Sequence, residues 1–176
     1  MKKIILLLFT FIFISCEKDE LTEVYNNGKG GASCLINEKV LNDRTIYGYS
    51  RIRFDSQADG TNFFVIQLVN RKNDFFGDTH LGIIIYGYEY ENLEGKTFEI
   101  KEENFETYNS YAWLSIPSDN EYYSDEYNSY SENIGYLKVT YFNKDEWIIS
   151  GTFQFNLINE NNEVIKITEG RFDLQN

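Results

Sequence analysis

Trp147-Ile148-Ile149-Ser150-Gly151-Thr152-Phe153-Gln154-Phe155-Asn156-Leu157, the turn at 159–162 and the run 164–174 together decide the fold. Ile149, Phe153, Phe155 and Leu157 share one parity, and Thr152, Gln154 and Asn156 share the other. Successive side chains of a strand point to opposite faces, so this alternation describes a strand with one face in a core and one in water. The asparagine-rich turn then returns the chain as an antiparallel partner.

Working outward, the same texture covers the rest of the chain. Strands are expected at 33–36, 49–54, 62–69, 81–90, 97–100, 112–116, 135–142, 147–157 and 164–174. Turn chemistry separates them at Asp59-Gly60, 70–73, Glu94-Gly95 and 159–162, and the lone proline, Pro117, closes a strand where its missing N–H costs least. The unbroken apolar run Ile83-Ile84-Ile85 marks a strand covered on both sides. No long stretch has helical period, and no internal repeat is present. About nine short strands at hairpin spacing predict an all-β domain: a single antiparallel β-sandwich over 32–176, with a β-barrel as the alternative.

The amino terminus reads differently. Met1-Lys2-Lys3 is a positive head, Ile4 to Ile14 is apolar except for Thr10, and Ser15-Cys16 follows. This is the pattern of a secretory signal peptide, and its apolar run falls short of the roughly 20 residues needed to cross a bilayer. Phe13-Ile14-Ser15-Cys16 looks like a lipobox, with Phe13 where Leu is usual. Residues 1–15 are therefore expected to be removed and Cys16 to carry acyl chains, each held by roughly 0.8 kcal/mol per buried methylene. Cys16-Glu17-Lys18-Asp19-Glu20 resembles an export signal that places lipoproteins on the outer face of the outer membrane; a periplasm-facing anchor is the alternative. Residues 16–31, polar and containing Asn26-Asn27-Gly28-Lys29-Gly30-Gly31, are read as the lipidated cysteine and a flexible tether. The glycine stretch lacks the spacing of a phosphate loop.

The chain carries 16 basic and 28 acidic side chains, a net charge of −12. Loss of Lys2 and Lys3 with the signal would take it to −14. Such a chain repels phosphate backbones, which argues against nucleic acid as a partner. With Cys16 committed to lipid, Cys34 has no intramolecular partner for a disulfide. It sits in the apolar run Ala32-Ser33-Cys34-Leu35-Ile36, where a free cysteine acts as a small hydrophobe.

The two ends of the domain also carry a resemblance. Gly151-Thr152-Phe153-Gln154-Phe155 and Ile167-Thr168-Glu169-Gly170-Arg171-Phe172-Asp173 look like the closing hairpin of a family of small, uncharacterised bacterial lipoproteins. Cys34-Leu35-Ile36-Asn37-Glu38-Lys39-Val40 is similar to that family's opening, with Glu38 where Gly is usual. The resemblance leaves the middle of the chain unmatched. It implies a surface or periplasmic lipoprotein with a β-sandwich-like domain of unknown function, and it brings no catalytic residues.

Catalytic constellations are scarce. His80 is the single histidine, so zinc sites built on histidine pairs cannot form. No serine stands in a G-x-S-x-G elbow. Asp55-Ser56-Gln57-Ala58-Asp59-Gly60 begins like an EF-hand loop but has Ile66 where the bidentate glutamate belongs. Carboxylate pairs for glycoside hydrolysis depend on spacing that sequence does not supply. The expectation is no enzyme, no cofactor and no metal.

Tyrosine is the unusual feature, with 14 in the chain beside 14 phenylalanines. Tyr86, Tyr88 and Tyr90 are spaced by two, which in a strand puts all three on one face; Tyr47 and Tyr49 repeat the pattern. Tyr122, Tyr123, Tyr127 and Tyr130 punctuate an acidic loop. Tyrosine presents a flat apolar ring and a hydroxyl at low entropic cost, so Tyr86, Tyr88, Tyr90, Tyr122, Tyr123, Tyr127 and Tyr130 are candidate ligand-binding residues; a half-exposed sheet face is the plainer alternative. The expected function is a non-enzymatic envelope module that binds a glycan or peptide. The alternative is an accessory subunit docked on another outer-membrane protein.

Overall fold

The computed structural model describes residues 21–43, 48–73, 77–104, 106–117, 124–130 and 135–176. Eleven strands follow one another: β1 (Lys29–Ile36), β2 (Lys39–Asn42), β3 (Tyr49–Ser56), β4 (Asn62–Asn73), β5 (Gly77–Tyr86), β6 (Thr97–Ile100), β7 (Tyr111–Pro117), β8 (Ser124–Asn128), β9 (Gly135–Asn143), β10 (Ile148–Ile158) and β11 (Val164–Gln175). All pairings are antiparallel. The sheet runs β2-β1-β11-β10-β8-β7-β5-β4-β3, with β9 beside β10 and β6 beside β9.

The all-β reading is the fold observed, in the form of one strongly curled sheet that makes a half-barrel. The curl is organised by β10. Its residues from Ile148 to Gln154 pair with β9, while Ile158 alone reaches Asn128 of β8. The sheet thus has a six-stranded wall (β2, β1, β11, β10, β9, β6) and a five-stranded wall (β8, β7, β5, β4, β3), continuous through one bridge. Side chains connect the two ends of the path: Asn70 Nδ2 of β4 donates to the Asn42 carbonyl of β2 at 2.9 Å, and Ser50 of β3 bonds Asp43. Sandwich and barrel each capture part of this arrangement. The walls share one core, as in a sandwich, and belong to one sheet, as in a barrel.

The alternation read from β10 sets that core. Ile149, Phe153, Phe155 and Leu157 are buried, and Thr152 and Gln154 are exposed. In register, Gly151 faces Phe172 and Phe153 faces Gly170. A methyl group on either glycine would collide with the opposite phenyl ring, so each glycine makes room for one phenylalanine. Phe153 also stacks on Phe155 at 5.7 Å. The core continues through Phe64, Leu68, Leu81, Ile83 and Leu114 of the five-stranded wall. Phe64 of β4 meets Phe98 of β6 edge-on at 6.2 Å, so the walls touch through their inner faces.

Five expectations are corrected. Tyr127, expected in a loop, lies in β8, and Ile84, in a strand expected to be covered on both sides, is only half-buried on the outer side of β5. Residues 70–73 are part of β4 rather than a turn, and Asn70 is fully buried. The strand expected at 81–90 ends at Tyr86. Residues 21–31 are not a free tether. Thr22 is buried with its N–H on Ser33 Oγ at 2.8 Å, and β1 already begins at Lys29. Between them the backbone turns through positive φ at Asn26 and Gly28 and aims its amides at Asp173. Successive N–H groups curved this way make a concavity for an anion, here one supplied by the protein itself. The segment has few apolar side chains, so its docking rests on backbone hydrogen bonds that hydrophobic patterning does not register. Cys16, the signal at 1–15, Tyr47, Tyr122 and Tyr123 lie outside the described residues.

Candidate binding face

The tyrosine ladder divides between two sides of the sheet. In β5, Leu81, Ile83 and Ile85 point inward, so Tyr86 points outward. Gly87 then takes φ +70°, a left-handed turn open to glycine, and ends the strand's alternation. Tyr88 is carried into the core against Phe64, with ring centroids 5.3 Å apart. Burial, then the adjoining Tyr90 hydroxyl, pushes the Tyr88 phenol well above its ordinary range.

Tyr90 opens a single 3-10 turn and packs edge-on against Trp147 at 5.4 Å, with Phe142 stacked at 6.4 Å. Phe54 of β3 closes this cluster 5.1 Å from Trp147. Lys144 caps it, lying 5.6 Å from the Tyr90 ring centroid and 3.0 Å from Glu91. These rings fill the space between edge strand β3 and the β9–β10 hairpin, a packing role. Tyr127 faces Leu114 from β8 and is buried; burial first, then Glu163 and Asp125, raises its pKa. Tyr130 is half-buried.

Of the sequence candidates, Tyr86 therefore belongs to an outward aromatic surface, and its neighbours there come from other segments. Phe63 of β4 lies directly opposite it, with ring centroids 5.5 Å apart. Tyr108 lies 5.5 Å away on the other side. Tyr111 pairs with Ile84, and Trp113 pairs with Gly82. Gly82 is fixed by that approach, since a Cβ there would enter the Trp113 indole. Phe63, Tyr86, Tyr108, Tyr111 and Trp113 are all half-buried, so each ring keeps part of its surface in water.

Polar groups edge this surface. The neighbouring Asp59 carboxylate raises the Tyr108 pKa. Asp59 is itself lowered, first by the Thr61 amide at 2.9 Å and also by the Tyr108 hydroxyl. Burial first, then the nearby Glu103 carboxylate, pushes the Tyr111 pKa far up. Burial raises the Tyr86 pKa, partly offset by the neighbouring Gln57 amide. The result is a set of mutually packed rings with an acidic rim. Such a face can stack against flat or apolar groups without rearrangement.

Comparison of the chain with family models, curated proteins and solved structures finds no match.

Other chemistry is thin among the described residues. No group of three His, Cys, Asp or Glu side chains is placed to hold a metal ion. His80 lies within β5, between Val69 and Ser115 on the neighbouring strands. Cys34 is fully buried, and desolvation pushes its thiol far above the ordinary range.

Of the aromatic face, the sequence reading found Tyr86 and missed Phe63, Tyr108, Tyr111 and Trp113. Alternation about Ala112 and Leu114 marks Tyr111 and Trp113 as outward. Their meeting with Tyr86 depends on strand register.

Proposed function

We propose that the domain is a non-enzymatic docking module of the cell envelope, carried on a lipid anchor at Cys16, that binds a partner protein through the outer aromatic face. The observation that carries this reading is the face itself: five half-exposed rings on the outer side of a curled sheet, with Ile84 near the centre and polar groups at the edge. The outer side of a curled sheet is convex. Small-molecule sites are concave and enclose most of their ligand. A broad surface with an apolar centre and a polar rim matches the anatomy of protein interfaces, where Tyr and Trp are enriched.

A photoreactive residue placed at Trp113 or Tyr111 in cells of the native host tests this, beside a control at Thr140 on the other wall. A discrete protein adduct from the aromatic face and not from Thr140 supports docking. Absence of any adduct at either aromatic position overturns it.

A glycan is the second reading, favoured by the tyrosine hydroxyls and the carboxylates of Asp59 and Glu103 beside the rings. Glycan-array binding that is lost in Tyr86→Ala and Tyr111→Ala would replace the docking reading with this one.

A further inference from the structure

Resting on the reading of Cys16 as a lipid anchor, we propose that the outer face of the six-stranded wall is apposed to the bilayer surface, and that the Asp173 clasp on residues 25–28 holds it there. The aromatic face of the other wall is thereby turned away from the membrane.

The first support is reach. Thr22 is buried against Ser33 on the outer side of β1, so the chain is fixed to this wall from Thr22 onward. Only about six residue steps separate it from Cys16. At about 3.6 Å per extended residue, Thr22 can stand no more than roughly 20 Å from the acylated cysteine. A domain about 30 Å across on so short a lead, fixed to one wall, has little freedom to present any other side.

The second support is where exposed apolar side chains collect. The large hydrophobic side chains most open to solvent among the described residues are Val24, Tyr25, Tyr49, Tyr136 and Val164. Val24, Tyr25 and Tyr136 belong to this wall or to the segment docked on it, whereas Tyr49 stands on edge strand β3 of the other wall, across a groove from Tyr25. Val24 and Tyr136 line one groove with Thr152 and Gly170; Tyr25 and Tyr49 line another with Gly31 and Asp43. Tyr25 is 63% exposed although its own N–H is bound to Asp173 at 3.0 Å. Tyrosine at a bilayer interface places its ring among the headgroups and its hydroxyl in water.

The third support is charge. Lys138 and Arg171 stand either side of Thr152 on this outer face, and Lys29 and Lys166 lie on its strands. They offset Glu23, Glu99, Glu169 and the carboxylate of Asp173. The wall is close to neutral in a chain whose net charge is −12, so it meets less repulsion from anionic headgroups than the rest of the surface. Because the two walls touch through their inner faces, their outer faces point apart. The ring set of Tyr86, Tyr111 and Trp113 then faces outward, where a partner can reach it.

The test uses the mature acylated protein in phosphatidylethanolamine–phosphatidylglycerol vesicles containing a headgroup nitroxide lipid. An environment-sensitive fluorophore is attached in Tyr136→Cys or in Tyr111→Cys; buried Cys34 is not labelled and Cys16 is blocked by its lipid. Quenching several-fold stronger at position 136 than at 111 is expected. Equal quenching, or stronger quenching at 111, overturns the orientation. Asp173→Ala, with its fold checked by circular dichroism, should bring position 136 towards the level of 111. If that variant does not fold, a flexible Gly-Ser insertion between Glu20 and Leu21 lengthens the lead while leaving the clasp intact; it should likewise lower quenching at 136, and unchanged quenching there overturns the argument from reach. Mass spectrometry of the mature chain reports separately on the anchor: an unacylated Cys16 refutes the lipoprotein reading itself.

Discussion

The buried carboxylate of Asp173 accepts the backbone N–H of Gly28 at 2.9 Å, across 145 residues of sequence. The same carboxylate takes Ser150 Oγ at 2.8 Å and the N–H groups of Tyr25 and Asn27 at 3.0 and 3.4 Å. Residues 22–28 and the last strand of the domain are therefore one unit.

Asp173→Ala leaves these donors without their acceptor, partly out of water. Hydrogen bonds to a charged group contribute about 1.5–3 kcal/mol each, with losses at one site far from additive, so a destabilisation of about 3 kcal/mol is expected. Urea unfolding at neutral pH measures it. Removing residues 21–28 should cost a similar amount, and the two changes together little more than either. Fully additive costs would show that the clasp is not a single interaction.

Gly82→Val should drive the Trp113 indole off its strand. Forcing extra atoms into an occupied space costs about 1–3 kcal/mol, and the near-ultraviolet circular dichroism of the displaced indole should change with it. Gly82→Ala should show a smaller effect of the same sign. An unchanged spectrum would mean that Trp113 does not rest on Gly82.

Tyr88 and Tyr86 should respond oppositely to truncation, although their spacing in sequence implies equivalence. Tyr88→Ala empties a core site, and losses of about 3–5 kcal/mol are usual for a buried aromatic ring. Tyr86→Ala, on the outer face, should cost no more than about 1 kcal/mol and leave the fold intact. Denaturation midpoints of the two variants decide the matter.

The phenols of Tyr88 and Tyr111 are both raised in the folded protein, first by burial and then by Tyr90 and Glu103 respectively. An unfolded chain ionises its tyrosines near the ordinary value of about 10. The folded state thus binds these protons more tightly than the unfolded state. Their contribution to stability is complete below about pH 10 and is lost as pH rises beyond it. Alkaline unfolding followed by tyrosinate absorbance should show this. Glu103→Gln, which removes a charge beside Tyr111, should bring that group's ionisation to lower pH.

Cys34 should resist thiol reagents in the native protein at pH 8 and react at the rate of unfolding when denaturant is added. Its burial excludes the reagent, and desolvation keeps it as the thiol, which is the unreactive form. Rapid labelling of the folded protein would place Cys34 at the surface.

Nine strands were legible in the sequence because period-two alternation and turn residues are local signals, and each expected strand has an observed counterpart. The two strands that were missed are short: Lys39–Asn42 has four residues, and Ser124–Asn128 is polar except at Tyr127. Neither shows the alternation by which strands are read. The tyrosine ladder failed for a different reason. Spacing by two implies one face only while the strand continues, and Gly87 ends it between the first and second rings. The aromatic face was invisible in sequence because Phe63, Tyr86, Tyr111 and Trp113 become neighbours only through the registers of β4 with β5 and β5 with β7.

The sequence by itself determined the strand-by-strand alternation, hence the all-β class, the solvent side of most strands and the inertness expected of Cys34. Each of these depends on a residue and its near neighbours. The tertiary structure alone decided that one sheet curls into two walls, which rings share a surface, and that Asp173 holds the leading segment. Those relationships join groups far apart in the chain, and their free energy exists only once backbone register and burial have brought the groups together.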